Sequence, residues 1–338
     1  MKKSFSKVLI SIYSLIAFQT PQGVLAESDV FEKCNKLDDA IEFRECISSN
    51  QSIKKGSTIS NFENALKFFE SGDTSSSLKA INLYIDANPD SKEAYLVRGI
   101  IYGWDLSDVE KSQSDFDKAI EIDDKYSNAY ALKADNLYWE LGNATQAKKD
   151  IEKAIIHSPN NPYVNNVRGH IFLDIGLTFF EKEKFDLAIN SAKEAVISFE
   201  KVVNNNNNDE NENLLIKRLF PLGLTYDAHT SLGDTKFDLL YFAHKKNKQR
   251  DDAKRSLNEA INHYSNAITL APTQEEAEKY EIERDFDMLT PAEIHLYRGN
   301  AYSWSSSQKD WKKACKDWKI SKKLGNKEAQ TNYRQWKC

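Results

Sequence analysis

The sequence predicts an all-α fold, an α-α superhelix of antiparallel helix pairs with irregular insertions. The chain has 338 residues, of which 40% are hydrophobic, but it holds only 12 Gly and 7 Pro. These are too few turn-forming residues for a protein of many strands. Apolar residues recur at spacings of three and four, and the pattern itself repeats every 35 residues. One helical unit is therefore used repeatedly along the chain.

The first element is predicted to be a secretory signal peptide at residues 1–26. Three lysines precede an apolar run at 8–18, and Pro21 and Gly23 follow it before small residues suited to cleavage. The run is shorter than the roughly 20 residues that span a bilayer, so we expect no stable membrane span in the mature chain. We expect an exported protein, located in the periplasm or another extracytoplasmic compartment, or secreted.

The four cysteines lie in two groups near the ends of the chain. Cys34 and Cys46 belong to a predicted N-terminal cap segment, 27–57, while Cys315 and Cys338 lie at the other end. Four cysteines allow three disulfide connectivities, and pairing within each group is favoured because it closes a short loop. Disulfides are consistent with an oxidising compartment. Neither spacing is that of a zinc site.

The repeat is clearest in the next part of the chain, from residue 92 to 161. A shift of 35 residues superposes Tyr95 on Tyr130 and Trp104 on Trp139. Small residues such as Gly99 alternate with large apolar residues, which predicts two amphipathic helices packed at close range. The pattern Tyr95-x3-Gly99-x2-Tyr102, followed by Phe116-x2-Ala119, resembles the tetratricopeptide repeat. The usual period of that family is 34, so we expect an extra residue between the two helices, around 104–109 and 139–143.

The later elements follow the same pattern less regularly. Arg168-Gly169 begins a unit of long helices, and an Asn-rich tract at 203–213 predicts a disordered insertion. Leu222-Gly223-x2-Tyr226 is expected to restart the pattern, with 233–250 inserted between two helices. The ending resembles the closing helix of exported bacterial tetratricopeptide repeat proteins. The predicted folded parts are therefore repeats at 58–202 and divergent repeats with a C-terminal capping helix at 214–338.

The chemistry-bearing motifs of common enzyme classes are missing from the sequence. There is no HExxH, no GxSxG and no phosphate-binding glycine loop. No two of the six histidines stand at i, i+4, the spacing of a metal-binding pair on one helix. No block of basic residues is present to bind nucleic acid. We therefore expect no enzyme activity, no metal, no cofactor and no nucleic-acid partner.

The resemblance places candidate site residues on the first helix of each pair, which lines a concave groove in this family. Three tryptophans share a position near the ends of these helices, and acids and further rings lie beside them. Aromatic rings give contact area and acids orient a ligand, an arrangement suited to a peptide with apolar and basic side chains. The alternative is that each Trp fills space in an enlarged turn. The candidate partner-binding residues are Trp104, Asp135, Tyr138, Trp139, His170, Asp174 and Trp304.

The resemblance implies a non-enzymatic scaffold that binds peptide or protein partners in its groove, in assembly or retention of an envelope complex. Its partner is not specified by the sequence. An alternative is a carbohydrate-binding or carbohydrate-active helical protein, suggested by the neighbours Trp104-Asp105 and Trp139-Glu140. Adjacent residues on a helix point in different directions, so neither pair forms a catalytic dyad by itself. A third possibility is a structural element that only self-associates.

Overall fold

Helix pairs follow one another through the computed structural model, which describes residues 57–205, 215, 223–284, 289–305 and 307–338. The chain divides into two units, Met1–Ser60 and Asn61–Cys338, and only the backbone of 57–60 is described in the first. Every regular element in the described ranges is helical, which confirms the predicted fold class. The predicted signal peptide, Cys34, Cys46 and most of the predicted Asn-rich insertion lie outside the described residues.

The helices pack mainly against their neighbours in sequence. The described residues form six helix pairs. Their members are α1 (Ser57–Glu70) with α2 (Thr74–Ala87), α3 (Lys92–Ile100) with α4 (Val109–Ile122), α5 (Ser127–Trp139) with α6 (Ala144–His157), α7 (Pro162–Glu181) with α8 (Phe185–Val203), α9 (Leu224–Asp234) and α10 (Phe242–Lys246) with α11 (Arg250–Leu270), and α13 (Pro291–Ser303) with α14 (Gln308–Lys323). Helix α12 (Gln274–Arg284) precedes the sixth pair and α15 (Lys327–Gln335) follows it. π-Helical segments extend α3 (Ile101–Asp105) and join α9 to α10 (Thr235–Tyr241).

Helix starts follow the 35-residue period because the residues that cap them repeat. Asp73, Asp108 and Asn143 each accept a hydrogen bond from the backbone N–H three residues later, at the starts of α2, α4 and α6. Thr290 and Glu293 form a reciprocal capping box at the start of α13. Such caps satisfy amide groups that a helix leaves without partners. The period in the sequence is thus also a period of helix boundaries.

Glycines in the first helices allow each pair to pack closely. A Cβ atom on Gly99 would lie 2.6 Å from a ring carbon of Phe116, and one on Gly169 would lie 2.5 Å from a ring carbon of Phe199. Both rings are fully buried, so neither can move aside into solvent. The sequence expectation that small residues let the two helices approach is confirmed.

Two arginines, Arg98 beside Gly99 and Arg298 beside Gly299, each tie a helix pair to the one before it. Arg98 donates two hydrogen bonds to Asp115 in α4, at 2.8 and 2.7 Å, and one to Asn82 in α2 at 2.8 Å. Arg298 donates equivalent bonds to Asp317 in α14 and a third to helix α11. Both aspartates are buried. These bidentate pairs fix the spacing of successive second helices, a role that the sequence analysis did not assign to them.

The fifth pair differs from the sequence prediction, because 233–250 is not an insertion. Helix α9 continues through its π-helical segment into α10, and only residues 247–249 connect it to α11. Gly223 does not pack in the predicted position: it precedes α9 with a φ of 85° and has open space around it. Gly233 takes that position instead, against Tyr264. The extra residue expected after Trp104 likewise lies inside a π-helical segment, since a π turn takes up residues without ending a helix.

The C-terminal end is closed by a disulfide and a short helix. Cys315 in α14 is bonded to Cys338, which lies 23 residues later and just beyond α15. This confirms the predicted pairing of these two cysteines. Ala329 of α15 packs with the buried ring of Trp318, so the last helix covers the end of the sixth pair. Among the described residues, no helix combines the length and apolar character needed to cross a membrane.

Candidate functional site

The candidate residues all lie on the first helix of a helix pair or at its end. These first helices, α3, α5, α7, α9 and α13 with their π-helical extensions, form the first-helix face. Asp135, Tyr138 and Trp139 are in the last turns of α5, and His170 and Asp174 are in α7. Trp104 lies in the π-helical segment after α3, and Trp304 directly follows α13.

Four of these residues meet where α5 and α7 pack together. The Tyr138 hydroxyl donates a hydrogen bond to the Asp174 carboxylate. The Trp139 ring meets the Tyr138 ring edge-on, with centroids 4.9 Å apart, and the Trp139 side chain opposes the rise in the pKa of Asp135. Half of the Trp139 surface (50%) is nevertheless exposed. The result is an oriented aromatic surface bordered by two carboxylates.

His170 connects α7 to α9 through a residue that the sequence analysis missed. Its Nε2 lies 2.8 Å from a carboxylate oxygen of Asp227, which also accepts a hydrogen bond of 2.8 Å from the Asn166 amide. Burial by itself lowers the pKa of His170. The carboxylates of Asp227, Asp135 and Asp234 outweigh that effect, so the pKa is raised and the charged ring is favoured.

Helix α9, the first helix of the fifth pair, and its π-helical extension add a row of acidic residues to the first-helix face. Asp227, Asp234 and Asp238 stand at i, i+7 and i+11, a spacing that places them on one side of a continuous helix. Burial and then the charge of Asp238 raise the pKa of Asp234, although the Tyr264 hydroxyl donates to it at 2.6 Å. The Asp238 side chain is exposed, but nearby protein atoms partly desolvate its carboxylate, and this raises its pKa. This row was not predicted from the sequence, in which 233–250 was expected to be an insertion between two helices.

Most of these acids have no Lys or Arg partner in the described part of the chain, although His170 acts on Asp135, Asp227 and Asp234. Burial raises the pKa of Asp135 to about 6, and the charge of His170 only partly opposes this. Within the ranges that the structure describes, no ion pair joins Asp135, Asp174, Asp234 or Asp238 to a Lys or Arg. Acidic groups therefore outnumber His170 at this place, and those with a raised pKa hold a proton more readily than an ordinary Asp.

The three tryptophans have different surroundings. Trp304 is 47% exposed and meets Phe242 edge-on at 5.2 Å, with the Lys245 ammonium 4.2 Å from its ring centroid. It therefore packs on the fifth pair rather than joining the group around Trp139. Trp104 is partly buried in its π-helical segment. The exposure of Trp139 and Trp304 argues against the alternative that these two rings only fill space in a turn.

The tetratricopeptide repeat family matches residues 92–126 and 127–160. This part of the chain consists of tetratricopeptide repeats. The two matches correspond to α3 with α4 and to α5 with α6, which include Trp104 and the group around Trp139. Proteins built from tetratricopeptide repeats mediate protein–protein interactions. The other helix pairs continue the solenoid on both sides of the matched repeats.

Several solved structures are similar to the chain. PilW, a type IV pilus biogenesis factor, is 16% identical with a TM-score of 0.47, covering 82% of this chain and 98% of that one. The C-terminal part of a tetratricopeptide repeat protein from Cytophaga hutchinsonii is 17% identical with a TM-score of 0.45, covering 92% and 98%. YrrB, a repeat protein with an unusual peptide-binding site, is 15% identical with a TM-score of 0.40, covering 76% and 99%. No curated protein matches the chain.

The two acids that suggested carbohydrate chemistry, Asp105 and Glu140, have different surroundings. The Asp105 carboxylate accepts a hydrogen bond of 3.0 Å from the Thr74 hydroxyl and so ties α2 to the end of α3. Glu140 is exposed at the end of α5. In the described part of the chain, no group of three or more His, Cys, Asp or Glu side chains is arranged to hold a metal ion.

Proposed function

We propose that the protein is a non-enzymatic scaffold whose first-helix face binds a peptide or protein segment with basic and apolar side chains. The observation that carries this proposal is a set of carboxylates that form no ion pair with Lys or Arg in the described residues, Asp135, Asp174, Asp234 and Asp238, on the same first-helix face as the half-exposed ring of Trp139. The partner supplies the positive charge that the face lacks.

The physical argument is that an uncompensated carboxylate in a partly desolvated place is costly. The raised pKa of Asp234 and Asp238 favours their protonated form in the free protein, and a Lys or Arg side chain from a partner would favour the charged form and pair with it. Trp139 adds a large surface of limited flexibility, which favours tight contact. Complementary charge also speeds the encounter and rejects acidic partners.

The compartment and the biological role belong to the same proposal. The signal-like residues 1–26 and the disulfide between Cys315 and Cys338 support export to an oxidising compartment. There the scaffold serves in assembly or retention of an envelope complex. The partner is a protein, and no nucleic acid is involved.

The test compares two variants of the purified protein in affinity capture from an extracytoplasmic extract. The first carries Trp139→Ala with Asp238→Asn, which removes a ring and a charge from the first-helix face. The control carries Ile156→Ala on α6, a second helix, where the native side chain is 75% exposed. A partner retained by the control but lost from the double variant supports the proposal.

The binding segment of a captured partner is then measured by calorimetry as a synthetic peptide. The affinity should fall as ionic strength rises, because exposed charges are screened within about 10 Å at 0.1 M salt. Replacing the lysines of the peptide by norleucine should weaken binding, whereas replacing its acids should not. Equal capture by all variants, or binding of glycans with release of reducing ends, would contradict the proposal.

A further inference from the structure

One side of α14 carries a row of lysines. The row consists of Lys309, Lys312, Lys316, Lys319 and Lys323, and every one of them is exposed. The spacings alternate between three and four residues, so the side chains lie on one face of the helix. At 1.5 Å per residue the row is about 21 Å long. These five residues form the lysine stripe.

The acids that interleave these lysines in the sequence do not neutralise the stripe. Asp310 accepts hydrogen bonds of 2.8 Å from Lys313 and from Ser305. Asp317 is buried and pairs with Arg298 of α13. Within the described residues, no ion pair joins a lysine of the stripe to an acid. The positive charge of the stripe therefore has no partner in this part of the protein, which the alternation of signs in the sequence conceals.

Positive charge is concentrated at this end of the chain. Residues 308–338 contain ten basic and three acidic side chains, whereas the whole chain contains 46 basic and 51 acidic ones. Arg334 of α15 and Lys337 after it are also exposed. The acidic row on α9 belongs to a different pair. Such an asymmetry orients a protein in the field of a charged surface.

The composition of the stripe favours a lipid surface over a protein surface. Protein interfaces depend on aromatic residues and Arg at their centre, where Lys is depleted. None of the large apolar side chains that are exposed among the described residues belongs to α14. An ammonium on a flexible stem is a point charge without a fixed hydrogen-bonding geometry. Lipid phosphates move laterally, so they can gather beneath such charges without a matching shape.

We propose that the lysine stripe holds the protein on a membrane surface that contains anionic phospholipids. Clusters of four to eight basic residues on a helix are typical of binding to such lipids, and each basic side chain contributes about fivefold to binding. The ammonium groups meet lipid phosphates, and the helix stays outside the hydrocarbon. Because α14 is a second helix, the stripe does not overlap the first-helix face.

The experiment measures sedimentation of the purified mature chain with lipid vesicles. We expect binding to vesicles of equal parts phosphatidylcholine and phosphatidylglycerol, none to pure phosphatidylcholine, and release as the salt concentration rises. Replacing Lys312, Lys316 and Lys319 together by Gln should weaken the binding at least about thirtyfold. Gln has a helix propensity close to that of Lys, so the circular dichroism and the urea midpoint should stay unchanged.

The matched control removes the same charge from other second helices. It combines Lys149→Gln on α6, Lys193→Gln on α8 and Lys254→Gln on α11, three exposed positions. The control should bind the anionic vesicles like the unaltered protein. Equal weakening in both triple variants, or equal binding to both kinds of vesicle, would overturn the proposal. So would duplex DNA that binds more tightly than the vesicles and is lost from the stripe variant, since the stripe would then serve nucleic acid.

Discussion

Replacing Gly169 by Ala places a methyl group at the contact between α7 and α8. Its Cβ would lie 2.5 Å from one ring carbon of Phe199 and 2.7 Å from two others. Non-bonded carbon atoms prefer separations of about 3.5–4.0 Å, so the ring or the helix must move by about 1 Å. Phe199 is fully buried between α7 and the helices around it, so there is no space into which it can turn.

Two opposing effects determine how much Gly169→Ala changes the free energy of unfolding. Overpacking a tight core costs about 1–3 kcal/mol. Replacing Gly by Ala inside a helix returns up to about 1 kcal/mol, because Gly has more conformational freedom to lose. Three ring atoms are affected at once, so we place the cost in the upper part of its range. The expected net loss of stability is about 1–2 kcal/mol.

Urea unfolding followed by circular dichroism measures this loss as a lower midpoint with an unchanged slope. The matched variant combines Gly169→Ala with Phe199→Leu, which provides room for the added methyl group. The double variant should lose less stability than the sum of the two single variants, because the changes are in contact. An increase of about 1 kcal/mol in Gly169→Ala, the value expected from helix propensity alone, would refute the role of this glycine in helix spacing.

Two further predictions follow from polar contacts. Arg298→Gln removes the bidentate partner of the buried Asp317 carboxylate, but His295 Nδ1 remains 2.9 Å from that carboxylate, so we expect a loss of about 1–3 kcal/mol in urea unfolding, while the exposed Arg334→Gln changes little. Equal midpoints for the two variants would contradict this. Asp234 has an ordinary pKa near 4 in the unfolded chain and a raised pKa in the folded one, so stability falls as pH rises above about 4. Asp234→Asn should therefore be more stable than the unaltered protein at neutral pH and less dependent on pH, and the opposite order of urea midpoints would disprove the assignment.

Much of the fold could be predicted because the signals are local. The capping residues Asp73, Asp108 and Asn143 act within one turn, so their period in the sequence becomes a period of helices. Gly99 and Phe116 are only 17 residues apart and meet within one pair. For the candidate site, all seven predicted residues lie on or beside first helices, as the repeat register requires.

The sequence predictions were wrong where one local pattern is compatible with two structures. The sequence pattern predicts a break between helices at Gly233, but Gly233 lies in a continuous helix, where its missing side chain leaves room for the Tyr264 ring of α11. The π-helical segment that follows contains Asp238, which the sequence placed in an insertion. A π turn and a loop both add residues to a repeat, and sequence periodicity does not distinguish between them. The acidic row was therefore hidden from the sequence analysis.

The sequence by itself determined the helical class, the repeating unit and the helix starts, and it favoured the pairing of Cys315 with Cys338 that the structure contains. Only the tertiary structure decided which distant side chains meet. His170 reaches Asp227 across 57 residues, and His229 reaches His263 across 34. The physical reason is that helix formation depends on neighbours within a few residues, whereas contacts between helices depend on helix length and stacking angle. Long helices and π turns in the fourth and fifth pairs change both, so the acidic face and the histidine pair arise from packing rather than from the repeat.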